Sequence, residues 1–119
     1  MIDTGHWTFN YNVLGESFNP IIFFGFVYRI TRKDTGRSYI GKKQLIYTTR
    51  KKVAGRTNRK HVKKESDWKK YTGSCEELNH EIEQMGKGEF SFEILKFCHT
   101  KRDLGYIETM YQFKEDVLD

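Results

Sequence analysis

The sequence predicts a small α+β domain. Short segments in which apolar residues alternate are typical of half-buried strands, and two segments with apolar residues three and four apart predict helices. The predicted order is strand, hairpin, basic insert, helix, strand, helix. Since 119 residues suffice for one modest core and not for two, we expect a single domain over residues 1–119. Its sheet is predicted to have three antiparallel strands, a hairpin plus one strand, flanked by helices, with a further N-terminal strand as an option.

The N-terminal arm, about residues 1–22, shows a regular alternation. Every second position carries an apolar side chain: Trp7, Phe9, Tyr11 and Val13. The pattern predicts a half-buried strand or an extended arm laid on the domain. Such rings can stack on nucleic-acid bases or pack against a sheet, and packing is the expected use.

Two β-prone runs then flank the turn tetrapeptide Lys33-Asp34-Thr35-Gly36. Asp and Gly at these offsets favour a tight hairpin loop, because Gly adopts positive φ at little cost and Asp bonds to its own backbone. The predicted register places Ile30 opposite Tyr39 and Tyr28 opposite Gly41. The two tyrosines therefore share one face of the hairpin as diagonal neighbours.

A basic insert, about residues 45–67, follows the hairpin. After the apolar step Leu45-Ile46-Tyr47, the tract from 50 to 64 has too few apolar positions for a long amphipathic helix. We expect a short helix or an irregular excursion here, mobile in the absence of a partner. Trp68 and Tyr71 then return the chain to the core.

The C-terminal half predicts a helix, a strand and a second helix. Ser74-Cys75-Glu76-Glu77 has the form of a capping box, and Gly86 closes the helix that it opens. The apolar positions of this helix are Leu78, Ile82 and Met85. Residues 89–97 alternate as a strand does, and Thr100 with Asp103 predicts the start of the last helix. The apolar face of that helix consists of Leu104, Ile107, Tyr111 and Leu118.

Basic residues are concentrated in one third of the chain. The net charge is +5, but residues 29–70 contain sixteen Lys and Arg against three acids, and the remainder contains five against thirteen. This asymmetry is typical of a protein with a polyanionic partner, nucleic acid first of all, although a solvated basic loop or an anionic protein partner stays open. The side chains expected to contact phosphates are Lys42, Lys43, Lys51, Lys52, Arg56, Arg59, Lys60, Lys63 and Lys64.

Composition also excludes some classes. No apolar run reaches bilayer length, and the first residues lack the basic and apolar regions of a secretory signal. We expect a cytoplasmic protein with no membrane partner. Cys75 and Cys98 lack metal-site spacing and are expected to be reduced thiols.

Two triplets carry a resemblance to a known family. Phe26-Val27-Tyr28 is followed by Tyr39-Ile40-Gly41, with Tyr39 eleven residues after Tyr28, which resembles the signature of the GIY-YIG nuclease superfamily. The second triplet matches letter for letter, whereas Phe26 stands where the first glycine belongs and Gly25 directly precedes it. The segment LNHEIEQMGKGEFSFEILKF is similar to the helix-Gly-strand unit of bacteriophage-encoded members, including free-standing homing endonucleases. The resemblance covers about residues 25–111.

The resemblance implies a metal-dependent endonuclease that hydrolyses DNA phosphodiester bonds. It implies that Tyr28 orients or deprotonates the attacking water and that Tyr39 belongs to the same hydrogen-bonded cluster. Glu108, three residues before the aromatic Tyr111, is the implied ligand of one Mg²⁺ (or Mn²⁺) ion. A carboxylate at that place on the helix must be paired, exposed or metal-bound, because an isolated buried charge is too costly.

The resemblance also implies an arginine about ten residues after the second tyrosine, where it neutralises charge on the scissile phosphate. Arg50 is the nearest arginine, and Lys43 or Lys42 and His61 are further candidates for that work. One site per chain implies a homodimer or two successive nicks for double-strand cleavage. The alternative function is a non-catalytic nucleic-acid-binding module on the same fold.

Overall fold

The computed structural model describes residues 6–9, 12, 13, 19–52 and 59–115. The main sheet contains β1 (Thr8–Phe9), β2 (Asn12–Val13), β3 (Gly25–Arg32), β4 (Ser38–Gln44) and β7 (Phe90–Cys98), in the order β2-β1-β7-β3-β4. A second sheet contains only β5 (Ile46–Lys52) and β6 (Arg59–Glu65). The helices are α1 (Glu76–Met85) and α2 (Lys101–Glu115), and Pro20–Ile22 and Lys87–Glu89 form short 3₁₀ helices. The predicted α+β class and the antiparallel arrangement of β7, β3 and β4 are confirmed.

The hairpin of β3 and β4 has the predicted register. Ile30 lies opposite Tyr39 and Tyr28 lies opposite Gly41. The turn is closed by a hydrogen bond from Gly36 N to Arg32 O at 2.8 Å, and Gly36 has a φ of 72°. That positive φ is the conformation for which the sequence provides a glycine.

Strand β7 changes phase in its middle. Opposite Val27 and Tyr28 the register shifts from Lys96 to Ile94, so that Leu95 is an extra residue in β7. Such a bulge exchanges the faces of the residues beyond it. It explains why Phe97 packs against the same core as Phe92 and Ile94, whereas Cys98 contacts the other core.

The N-terminal arm is not the single strand that its alternation predicts. β1 and β2 have two residues each and pair antiparallel with one another, and β1 pairs in parallel with β7. The expectation that the arm packs against the domain is confirmed, because Trp7 is fully buried. Its indole Nε1–H donates to Trp68 O at 2.7 Å.

The basic insert forms a β-ribbon, which corrects the prediction of a short helix or irregular excursion. β5 and β6 pair antiparallel over seven positions, from Ile46 opposite Glu65 to Lys52 opposite Arg59. The residues that start this ribbon, Ile46-Tyr47-Thr48-Thr49, are β-branched or aromatic and favour strands. Residues 53–58 and the side chains of residues 48–63 lie outside the described part.

Both helices occupy the predicted segments. The capping box was wrong: α1 begins after Cys75, and this N-cap makes no side-chain cap hydrogen bond. Gly86, with a φ of 88°, ends α1 as predicted. At α2 the predicted start is confirmed, because Asp103 N donates to Thr100 Oγ1 at 3.1 Å.

The main sheet separates two cores. On one face, Tyr28, Ile30 and Tyr39 pack with Trp7, Trp68 and α1, in a cluster built largely from aromatic rings. On the other face, Val27, Ile40 and Cys98 pack with Leu104 of α2. We call these the α1 face and the α2 face. Both cysteines are free, and no helix among the described residues is long and apolar enough to cross a membrane.

Candidate active site

Tyr28 lies fully buried on the α1 face. Its ring centroid is 5.3 Å from that of Trp7 and 6.0 Å from that of Tyr71. A Cβ added to Gly73 would lie 3.5 Å from the Tyr28 hydroxyl, so this glycine leaves the room in which the hydroxyl sits. Tyr28 thus has the predicted position in the sheet, opposite Gly41, and its phenol lies in the interior of the domain.

Tyr39 is buried on the same face, and its hydroxyl has no hydrogen-bond partner within the described part of the chain. Burial raises the pKa of Tyr39, and the negative charge of Glu81 raises it further, whereas Arg37 opposes the shift. The Arg37 guanidinium carbon lies 5.3 Å from the Tyr39 ring centroid. At neutral pH Tyr39 is thus a neutral phenol, able to donate a proton in a hydrogen bond.

Glu81 is a residue of this cluster that the sequence analysis missed. Its Oε1 accepts a hydrogen bond from Arg32 at 3.3 Å, while none of the residues that the structure describes bonds to its buried Oε2. Arg32 is held in turn by two hydrogen bonds to Asp34, of 2.7 and 3.1 Å. The available signal was helical spacing, because Glu81 follows Leu78 by three positions and so lies on the apolar side of α1.

Glu108 lies on the other side of the sheet, between α2 and β4. Its Oε1 is 3.6 Å from Lys42 Nζ, and 19% of its side chain is exposed. Lys42 also lies 3.9 Å from the position of a Cβ on Gly105. Gln112 fixes the helix to β4 by donating from Nε2 to Ile40 O at 2.9 Å. The carboxylate therefore faces the strand that carries the Tyr-Ile-Gly triplet.

The structure does not bring all the predicted site residues together. Tyr28 and Tyr39 are on the α1 face, whereas Glu108 is on the α2 face with Lys42. Arg29 shares the α2 face, because it lies opposite Ile40 and its guanidinium is 4.0 Å from Glu93. Strand alternation could have indicated Arg29, since it directly follows Tyr28 and must point to the opposite face.

The remaining candidates divide between the sheet and the ribbon. Lys43 is held on the α1 side by Asp67, at 2.6 Å, and lies 4.2 Å from the Tyr71 ring centroid. The hydrogen bond from Lys43 lowers the pKa of Asp67. Arg50 lies opposite His61 in the ribbon.

The predicted phosphate contacts follow the same division. Lys42 is on β4, and Lys64 is exposed near the root of the ribbon. Lys51, Lys52, Arg59, Lys60 and Lys63 are on β5 and β6. Arg56 lies outside the described residues. The side chains of Arg50, His61 and these five ribbon residues also lie outside the described part.

A metal ion could be held here by Glu108 alone. Among the described residues, no three His, Cys, Asp or Glu side chains gather into a group that could bind a metal. Mg²⁺ keeps several of its waters and is often bound through one or two carboxylates and substrate phosphates, so a single partly exposed carboxylate fits it. The contact with Lys42, at 3.6 Å, is too long for a strong hydrogen bond and can be exchanged for another cation.

The hairpin with its Tyr-Ile-Gly strand, crossed by a helix that brings the Glu108 carboxylate to Lys42 of that strand, defines a nuclease domain of the GIY-YIG type. A family model described as "Putative endonuclease segE, GIY-YIG domain" matches residues 7–119, and the chain belongs to this family. No curated protein and no solved structure matched the chain. Membership makes this an endonuclease domain with DNA as its substrate, in a family that generally depends on divalent metal ions.

Proposed function

We propose that the protein is a Mg²⁺-dependent endodeoxyribonuclease of the phage homing type. The observation that carries the proposal is the pair of Glu108 and Lys42 on the α2 face. A carboxylate with a nearby ammonium group suits a site that must hold a cation and then a phosphate. Family membership over residues 7–119 supports the same reaction.

Each group on the α2 face has a role in this proposal. Glu108 would hold the ion, which would supply electrostatic stabilisation of the charge that develops on the phosphate during cleavage. Lys42 leaves its contact with Glu108 and donates instead to a non-bridging oxygen of the phosphate. Arg29 places a guanidinium group on this face. Arg50 and His61 of the ribbon remain proposed phosphate contacts that come from outside the α2 face. Planar guanidinium groups suit the bidentate contacts that a phosphate offers.

Tyr28 and Tyr39 remain proposed catalytic residues with a condition. Their rings are buried on the opposite face of the sheet from Glu108. A phosphate bound beside Glu108 can therefore contact them only after a movement that exposes them. The raised pKa of Tyr39 means that it holds its proton at neutral pH. It can therefore act as a base only if it passes its own proton to an acceptor. Glu81 is the carboxylate whose charge raises the pKa of Tyr39 most.

The same burial favours the second candidate function, a non-catalytic nucleic-acid-binding module. In such a module the tyrosines serve only packing, and the basic ribbon supplies the affinity. The two functions differ in one requirement, since only the enzyme needs the Glu108 carboxylate for turnover.

Nicking of supercoiled plasmid tests the choice. We expect the wild-type protein to nick plasmid with Mg²⁺ and not with EDTA, and Glu108→Gln to lose on the order of 100-fold in rate. Glu83→Gln, a matched change at an exposed position of α1, should retain full activity. Plasmid that is bound but stays supercoiled at all Mg²⁺ and Mn²⁺ concentrations would establish the binding module instead.

The proposed stoichiometry is one metal ion and one site per chain. Cleavage of both strands then needs a homodimer or two successive nicks. The time course of the same assay separates these routes, since two independent nicks accumulate open-circular plasmid before linear plasmid appears.

A further inference from the structure

The β5–β6 ribbon forms a sheet of its own within the described part of the chain. Its two strands pair over seven consecutive positions, which corresponds to a length of about 20 Å. An isolated two-stranded hairpin is marginally stable in water. Whatever stabilises the outer end of this ribbon must therefore come from its root or from a partner.

The root is firmly held by the domain. Leu45 is fully buried, and Leu45 N donates to Phe24 O at 2.8 Å. Ser66 closes the ribbon by donating from its backbone N to Leu45 O, at 2.8 Å, and from Oγ to Gln44 O, at 2.6 Å. Trp68 Nε1 donates to Glu65 Oε1 at 2.7 Å. Since Leu45 alone separates β4 from β5, the ribbon is joined directly to the strand of Lys42.

The outer end of the ribbon carries opposed like charges. Its last three register pairs are Arg50 with His61, Lys51 with Lys60, and Lys52 with Arg59. Like charges directly opposite one another destabilise a pair of strands. Residues 46–64 contain eight Lys and Arg and no acid, and the acid that ends β6, Glu65, lies at the root opposite Ile46. The outer end of the ribbon therefore has no countercharge from either strand. A polyanion is the partner that removes this repulsion.

The charge pattern also indicates which faces of the ribbon contact the polyanion. Cations occupy successive positions 50, 51 and 52 on one strand and 59 and 60 on the other. Because successive positions of a strand belong to opposite faces, both faces of the ribbon are cationic. A ribbon lying flat on one phosphate backbone would need one cationic face, whereas a ribbon between two phosphate walls uses both.

We propose that the β5–β6 ribbon enters the major groove of B-form duplex DNA, an inference that rests on the proposed function in DNA cleavage. The major groove, about 12 Å wide, admits a two-stranded ribbon, whereas the minor groove, about 6 Å wide, does not. The major groove of double-stranded RNA is too narrow for side chains to read. The ribbon therefore selects duplex DNA over single strands and over double-stranded RNA.

Binding measurements on the full chain with Glu108→Gln, in the absence of cleavage, test this inference. The probes are a 30-base-pair DNA duplex, one of its single strands and the double-stranded RNA of the same sequence. We expect the duplex to bind at least tenfold more tightly than either competitor. Methylation of guanine N7, in the major groove, should interfere with binding, and methylation of adenine N3, in the minor groove, should not.

The ribbon variant Lys51→Ala with Lys60→Ala removes one opposed pair. We expect a loss of affinity of tenfold or more, and a slope of log K against log salt that is smaller by about 2. The matched control, Lys87→Ala with Lys101→Ala, removes two exposed lysines outside the ribbon and should change affinity less than twofold. Circular dichroism and thermal unfolding show whether each variant is folded.

Three results would overturn the inference: unchanged affinity in the folded ribbon variant, equal binding of single-stranded DNA or RNA, or interference at adenine N3 alone. These results are separable from a failure of the proposed function. Wild-type protein that binds through the ribbon but never nicks plasmid removes the enzyme and leaves the ribbon inference intact. Nicking by a protein whose ribbon variant binds normally removes the ribbon inference alone.

Discussion

His6 is a partly buried base whose surroundings favour its neutral form. Its Nε2–H donates to Tyr71 O at 2.7 Å, since a carbonyl can only accept, while the buried Nδ1 has no partner among the described residues. The ring centroid is 4.0 Å from that of Phe92. Burial lowers the pKa of His6 to about 4. A proton added at Nδ1 would have no acceptor among these neighbours.

This arrangement predicts a loss of stability in mild acid. As pH falls below the ordinary value of 6.5, the unfolded chain binds the proton before the folded chain does, so stability declines between pH 6.5 and about 4. We expect about 1–2 kcal/mol, allowing for partial exposure, measured by urea unfolding at pH 7.5 and 4.5. His6→Gln keeps a donor for Tyr71 and should lose most of this slope. An equal slope in the variant would assign the acid sensitivity to other groups.

Strand period and turn chemistry were sufficient to place Tyr28 and Tyr39 on one face, because both are local properties of the hairpin. They could not show that the face is covered by α1 and two tryptophans. That covering depends on contacts between segments far apart in the chain, such as Trp7 with Trp68. For the same reason Glu81 and the pairing of Glu108 with Lys42 became visible only in the structure.

Helix α2 depends on the absence of a side chain at Gly25. A Cβ added there would lie 2.6 Å from Lys43 O and 2.7 Å from Leu104 Cδ2. The first of these atoms is backbone and cannot move aside cheaply. We expect Gly25→Ala to cost about 1–3 kcal/mol of unfolding free energy by overpacking, and to lower nicking because α2 carries Glu108. Urea unfolding and the plasmid assay measure both effects.

Gly88→Ala is the matched control for this element. An added Cβ at Gly88 meets nothing within 4 Å, so stability and nicking should be unchanged. If Gly25→Ala behaves like the control, α2 is not seated on β3 as described.

At the scale of elements, helices and strands were predicted correctly where apolar residues recur with a clear period. The prediction failed in the basic insert, where charged residues interrupt that period. In the basic insert, Thr and Val at strand positions were outnumbered by Lys and Arg, which carry no period. The capping box failed for a different reason. α1 starts one residue later than Ser74 would require, after Cys75, and the exact first residue of a helix is set by tertiary contacts.

The whole molecule divides its charge unevenly, with the bases concentrated in residues 29–70 and most of the acids in the remainder. The division that could not be predicted is between the two faces of the main sheet. The bulge at Leu95 in β7 exchanges the faces of the residues after it. One extra residue cannot be recognised in a sequence where apolar and polar positions are mixed. The placement of Glu108 opposite the tyrosines is a property of this layered arrangement.

Trp7 joins three parts of the molecule that are distant in sequence. Its ring packs on Phe26, at 5.0 Å between centroids, and its Nε1–H donates to Trp68 O, 61 residues away. Trp68 in turn holds the root of the ribbon through Glu65. We expect Trp7→Ala to cost about 3–5 kcal/mol, because a large buried ring is removed. Trp7→Phe should cost about 1–3 kcal/mol, because Trp68 O loses its donor.

Phe113→Ala is the control for Trp7→Ala, since it removes a ring that is 90% exposed and should change stability by less than about 0.5 kcal/mol. Urea unfolding of the variants at pH 7.5 gives the comparison. If Trp7→Ala costs no more than Phe113→Ala, the N-terminal arm does not close the core. If it costs the expected amount, the arm is a structural part of the nuclease domain, and the ribbon is anchored through the same tryptophan pair that completes the α1 face.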